Sequence, residues 1–187
     1  MREHASDQSR NPRRSRRQIV VRALSARSTQ GHIVLGSLRF ACALGRTGRK
    51  AIKREGDGAT PMGRWRISHG FFRKCRGLRP RTGLAIRPIR ENDGWCDQAG
   101  DRNYNRQVRL PYPASAERLM RADHLYDVVL VTSHNQCPRV RGAGSAIFLH
   151  VARAGFLPTE GCVALRARDL AHVLRRLGRD SWLVVPH

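Results

Sequence analysis

Ser145-Ala146-Ile147-Phe148-Leu149-His150-Val151, a loop carrying Gly155 and Pro158, and then Thr159-Glu160-Gly161-Cys162-Val163-Ala164-Leu165 form the stretch that decides the fold. The first run is apolar at consecutive positions, as in a strand covered on both faces, and it ends in a histidine. The second opens with Gly-Cys and passes into a short apolar segment. Upstream, Tyr126-Asp127-Val128-Val129-Leu130-Val131-Thr132 reads as another buried strand from its β-branched content, with a turn at Gly142-Ala143-Gly144 between the two. Downstream, Leu170, Val173, Leu174 and Leu177 fall at i, i+3, i+4 and i+7, so a helix is expected over Ala167 to Leu177, stopped by Gly178. Ser181-Trp182-Leu183-Val184-Val185 closes the chain as a last strand.

Further out the signals are shorter. Ile19-Val20-Val21-Arg22-Ala23-Leu24 reads as a strand, and His32 to Leu44 as two strands around Gly36. Residues 45 to 63 are rich in glycine and cations and read as a loop. Arg64-Trp65-Arg66-Ile67-Ser68 alternates as a strand, and Leu84-Ala85-Ile86 is a brief apolar run stopped by Pro88. The polar stretch from Glu91 to Pro113 reads as one long irregular loop, a length usually reserved for function or disorder. Trp95 and Tyr104 within it suit either a substrate wall or anchors of the loop to the core. Ala114 to Ala122 is expected to form one or two helical turns. No internal repeat is present.

The chain has 187 residues, 40% of them hydrophobic, which suffices for one domain with a core that needs no staples. Its formal net charge is +22. Three of the basic residues are lysines (Lys50, Lys53 and Lys74) and the rest are arginines spread along the whole chain. Such a balance suits a polyanion binder, or simply a surface whose cations are arginines. No basic stripe alternates with aromatics as single-strand binders require, which argues against nucleic acid as partner. Residues 1–17, with six arginines and no apolar stretch, read as a basic flexible tail. Arg16-Arg17 resembles a twin-arginine start, but Arg22 interrupts the hydrophobic region that should follow, so no secretory signal is visible. No apolar run is long enough to span a membrane. Five cysteines (Cys42, Cys75, Cys96, Cys137 and Cys162) leave at least one unpaired. His134 and Cys137 form an isolated H-x-x-C without a second ligand pair, so no metal is expected.

The pattern that carries chemistry is a histidine ending a buried strand and, twelve residues later, a Gly-Cys. A thiol becomes a strong nucleophile as thiolate, and an imidazole within hydrogen-bond reach takes its proton. Amides at Gly161 and Cys162 suit an oxyanion, a contribution of about 3–4 kcal/mol per donor.

These residues resemble the L,D-transpeptidase catalytic domain (YkuD) family: Ile147-Phe148-Leu149-His150, then Thr159-Glu160-Gly161-Cys162-Val163, with the upstream Thr60-Pro61-Met62-Gly63. The resemblance covers residues 18–187. It implies a mostly β (α+β) fold, a curved mixed sheet or sandwich with one or two packed helices. It also implies a cysteine acyltransferase acting on peptidoglycan stem peptides, with Cys162 as nucleophile and His150 as general base and acid. A backbone carbonyl just after His150 is expected to orient the ring. Gly161 and Thr159 would shape the oxyanion turn, and Trp95, Tyr104 and Arg153 the substrate groove. No cofactor or metal is implied, a monomer is the default, and the envelope or periplasm is the expected location. Water as acceptor would give an L,D-carboxypeptidase. Two departures stand out: Glu160 where many members have His, and Ala164 where many have Arg or Asn. Glu160 would raise the Cys162 pKa unless a cation such as Arg153 offsets it, and a catalytically degenerate member or a polyanion-binding module is the alternative. The net charge suggests a basic cleft that gathers substrate carboxylates.

Overall fold

Along β1 (Gln18–Arg22) and β2 (Gln30–Leu35), Ile19, Val21, Ile33 and Leu35 are buried while the residues between them keep partial exposure, the alternation of a sheet with one covered face. Gly36, at φ +61°, turns the chain back into β3 (Leu38–Ala43), and Leu35 pairs with Leu38 across the two-residue turn. The computed structural model describes residues 18–77 and 79–187; the basic tail expected over 1–17 lies outside them. The remaining elements are β4 (Arg49–Lys50), β5 (Thr60–Pro61), β6 (Gly63–Phe72), β7 (Ile86–Pro88), β8 (Asp93–Cys96), β9 (Arg106–Arg109), β10 (Ala116–Arg118), β11 (Val128–Thr132), β12 (Phe148–Val151), β13 (Val163–Leu165), helix α1 (Ala167–Leu174) and β14 (Trp182–Val185).

The main sheet runs β11-β12-β13-β3-β2-β1-β14-β6-β7. β6 pairs with β14 along Gly63–Arg66 and with β11 along Ile67–Phe72, so the pairing path returns to its start and the sheet closes on itself. It is mixed: β1 with β14, β12 with β13 and β6 with β7 run parallel, and the other pairs run antiparallel. Inside lie Ile19, Val21, Ile33, Leu35, Ile67, Leu130, Leu149, Val163, Leu165 and Leu183, joined by Leu170, Val173, Leu174 and Leu177 from α1 and the turn after it. Each such side chain contributes about 1.5–3 kcal/mol by leaving water.

β11 and β12 are covered on both sides. Leu130 and Leu149 face the main core, while Val129, Val131 and Phe148 face a second cluster with Phe71, Trp95, Leu119 and Tyr126. That double burial explains their unbroken apolar sequence.

The irregular loop expected over 91–113 is instead ordered. β8 pairs with β9 and with β10 in a three-stranded sheet. The turn passes through Asn105 at φ +55°, whose side chain accepts from Trp95 Nε1 at 3.0 Å and donates to the carbonyls of His134 and Asn135. The helical turns expected over Ala114–Ala122 are replaced by β10, because Glu117 pairs with Trp95 across the ladder. Nor does a second α-helix form among the described residues; two single 3₁₀ turns, Lys74–Arg76 and Ala154–Phe156, take its place.

Candidate active site

The period of two along parallel neighbours builds the site. His150 is in register with Ala164 and Leu149 with Val163. Leu149, Val163 and Leu165 point into the main core, so Phe148, His150, Cys162 and Ala164 share the opposite face. There His150, Cys162 and Ala164 border a cavity of about 450 Å³, lined also by Trp95, Glu117, Tyr126, Ile147 and Arg153. The structure thus brings together His150 and Cys162, with Arg153, Trp95 and Thr159 on the same cavity wall.

His150 is buried, and its Nδ1 lies 2.8 Å from the Val151 carbonyl. A carbonyl only accepts, so Nδ1 carries the proton of the neutral ring and Nε2 keeps its lone pair. The ring packs edge-on against Tyr126, with centroids 5.4 Å apart. Burial pushes the imidazole down to about 4, opposed by the Val151 carbonyl and helped by the Arg121 and Arg153 charges. Cys162 keeps part of its surface in the cavity, yet the protein packed around its sulfur pushes the thiol up to about 12. The Phe148 N–H, which donates to Sγ at 3.3 Å, and Lys53 act against this shift; Glu117 and Glu160 add to it. At rest the pair is therefore neutral thiol and neutral imidazole.

The turn before Cys162 is braced from below. Thr159 Oγ1 donates to the Cys162 carbonyl at 2.6 Å and accepts from the Gly161 N–H at 3.1 Å. Thr159 in turn bridges to the chain at Gly45: its N–H donates to Leu44 O, and its carbonyl accepts from Arg46 N. Gly45 N–H donates to the fully buried Thr60 Oγ1 at 2.9 Å. A ladder of contacts thus runs from the Thr-Pro segment to the cysteine, a role for Thr60 that its sequence neighbours do not announce. Gly161 sits at φ +127°, and a Cβ there would lie 2.6 Å from the Ala59 carbonyl. The close approach that requires glycine is to the protein's own backbone, and the Gly161 amide is already engaged; it is not the free oxyanion donor expected.

Other expectations need correcting. Glu160 is offset by Arg46, whose Nε donates to both carboxylate oxygens at 3.1 and 2.9 Å, and not by Arg153. Tyr104 is buried away from the cavity lining; its hydroxyl donates to Glu55, a lining residue that also accepts from Ser145 Oγ at 3.1 Å. Trp95 both lines the cavity and anchors β8, with its ring edge-on to Phe148 at 5.2 Å. The cleft is not basic: Lys53, Arg121 and Arg153 face Glu55, Asp97, Glu117 and Glu160.

Sequence reasoning missed Glu117, Tyr126, Lys53 and Glu55. Glu117 was hidden by the helical reading of its segment, and Lys53 and Glu55 by a loop without periodicity; Lys53 is nonetheless buried, held by Asp57 and the Arg54 carbonyl. All five cysteines are free. Among the described residues no cluster of three or more His, Cys, Asp or Glu side chains could hold a metal.

Compared with known proteins, the sequence matches the L,D-transpeptidase catalytic domain over residues 19–185. The chain belongs to this family. A search of curated proteins returned no match. L,D-transpeptidase membership accords with the mixed, closed sheet, and the matched residues include Thr159, Glu160, Cys162 and His150, which line the cavity. No helix among the described residues of this L,D-transpeptidase domain is long and apolar enough to cross a membrane.

Proposed function

We propose that the protein is a cysteine acyltransferase that acts on peptidoglycan stem peptides in the periplasm or cell envelope through a Cys162 thioester. The observation that carries this reading is the shared face of β12 and the Cys162 turn, which sets a buried histidine and a cysteine on one cavity wall. The family match supports peptidoglycan as the substrate class.

Because both groups rest neutral, the thiolate forms during attack. Cys162 Sγ adds to the carbonyl of the stem's third residue as His150 Nε2 takes the thiol proton. Negative charge gathers on the carbonyl oxygen. With the Gly161 amide bound to Thr159, the Cys162 amide is the donor assigned to that oxygen. His150 then gives its proton to the departing D-alanine amine, leaving the thioester. An amine of a second stem completes transpeptidation; water gives carboxypeptidation. Val151 O holds the ring's tautomer through both transfers.

Intact mass after exposure to a carbapenem tests the reading. Wild type is expected to take up one equivalent and Cys162→Ala none. Folded, reduced wild type that takes up none would make this a catalytically degenerate member of the family.

A further inference from the structure

Glu117 stands on the wall of the same cavity as Cys162 and His150. β10 places it there by pairing it with Trp95 of β8. Its Oε1 accepts from the Tyr126 hydroxyl at 2.7 Å, and Arg121 reaches the same oxygen only at 3.5 Å. Arg121 is held more tightly by Asp123, at 2.8 and 2.9 Å. Among the described residues, then, no hydrogen bond or ion pair is directed to the second carboxylate oxygen of Glu117, Oε2, in a cavity whose reactive pair rests uncharged. Burial pushes its carboxyl above the usual range, opposed by Tyr126 and Arg121 and reinforced by Asp97 and Asp123.

The acyl-transfer reading leaves a proton unaccounted for. A primary amine reaches the thioester at neutral pH as an ammonium, which has no lone pair. It must lose one proton before it attacks and a second as the C–N bond forms. His150 is one base and can take one of them. Water, the competing acceptor, needs to lose only one.

We propose that Glu117 is the acceptor-side base: it binds the incoming ammonium group and takes its first proton, so that the acyl-enzyme passes to an amine in preference to water. In this step the ammonium gives a proton to the Glu117 carboxylate and becomes a free amine. The nitrogen lone pair forms the C–N bond as the carbonyl π pair moves to oxygen. The second proton passes from nitrogen to His150 Nε2. The carbonyl re-forms, the C–S bond breaks, and the sulfur takes the proton from His150. Glu117 then releases its proton to solvent, giving an amide, the free thiol and one proton. The inference rests on Cys162 forming a thioester.

The test follows the fate of the acyl-enzyme in the full chain, wild type and Glu117→Gln, with a tetrapeptide stem as donor. Three acceptors are compared: water, a second stem whose amine is an ammonium at neutral pH, and hydroxylamine, which is already neutral there. Glu117→Gln is expected to lower transfer to the stem amine by about a hundredfold, the lower end of the usual worth of one positioned base. Thioester formation, its hydrolysis and its capture by hydroxylamine should stay within about threefold, and Glu117→Asp should recover part of the stem transfer. An equal fall with all three acceptors would make Glu117 a structural partner of Tyr126 and overturn the assignment, as would unchanged partition between stem amine and water. A wild type that forms no thioester brings down the acyl-transfer reading and this inference together; a normal thioester with unchanged partition in Glu117→Gln brings down the inference alone.

Discussion

The cavity and the outer face of the closed sheet are built on different strands and differ in charge. On the outer face of β3, β2, β1, β14 and β6, none of the five strands contains an aspartate or glutamate. Arg22, Arg39, Arg64 and Arg66 stand there around Val20, Val34, Val184 and Trp182, with the Arg64 guanidinium 4.2 Å from the Trp182 ring centroid. The cavity draws four of the chain's fourteen acids and only three of its cations. The net charge of +22 is that of the whole chain, and it misdescribes the site. The two regions should answer differently to substitution, pH and salt.

The largest effect is expected where the cavity is shaped by backbone. Gly161→Ala puts a Cβ 2.6 Å from the Ala59 carbonyl at a φ that an L side chain rarely adopts. The turn must shift, and Cys162 with it. Misplacement of a reacting group by about 1 Å costs on the order of a hundredfold in rate. Carbapenem acylation of Gly161→Ala should therefore fall by roughly that factor, with the far-ultraviolet circular dichroism unchanged. Acylation at the wild-type rate would mean that the turn has slack the Ala59 contact does not suggest.

The strands of both regions were legible where hydrophobic period decides the outcome. Ile19, Val21, Ile33 and Leu35 alternate, and the run at Val128–Thr132 is apolar because β11 is covered twice. The His150 and Gly161-Cys162 landmarks were legible as a motif. The β8–β10 sheet was not, because polar links hold it. Asp93 is buried, takes two hydrogen bonds from Arg87 at 2.8 and 2.9 Å, and accepts from Gln107 at 2.8 Å. Nothing in local hydrophobicity marks such a strand. Closure through β6 was equally invisible, since it depends on Ile67–Phe72 meeting Val128–Thr132 far along the chain. Glu117 was lost with the β10 strand that presents it.

A second contrast separates the cavity thiol from exposed ones. With burial holding the Cys162 thiol near about 12 and His150 near about 4, almost no thiolate exists at neutral pH. The sign is fixed: the thiolate fraction grows as pH rises toward the thiol's value and gains nothing from a charged imidazole. Iodoacetamide labelling of Cys162, read by peptide mass against exposed Cys75 and Cys137, should climb without a plateau from about pH 7 to about pH 10. A plateau beginning below about pH 7 would reveal a resting thiolate–imidazolium pair and would reverse the order of proton transfer proposed for the first step.

The smallest effect on chemistry is expected from the sheet face. Arg64 and Arg66 flank Trp182 and Val184 in register, on the side of β6 turned away from the main core. Exchanging both for glutamine removes two charges from a strand that carries no acid, and neither residue lines the cavity. Turnover of a small soluble stem peptide by the double variant should stay within about twofold of wild type, and in both proteins it should change little with salt, because charges beyond about 10 Å are screened and the cavity's own charges nearly cancel. Retention on a sulfated polysaccharide column should behave otherwise, with the double variant eluting at lower salt, since each lost cation weakens a counterion-releasing contact. If turnover instead falls together with retention, the sheet face and the cavity act as one surface toward substrate. The acid-lined wall would then have to be read as a brake on the cationic field rather than as a site of separate sign.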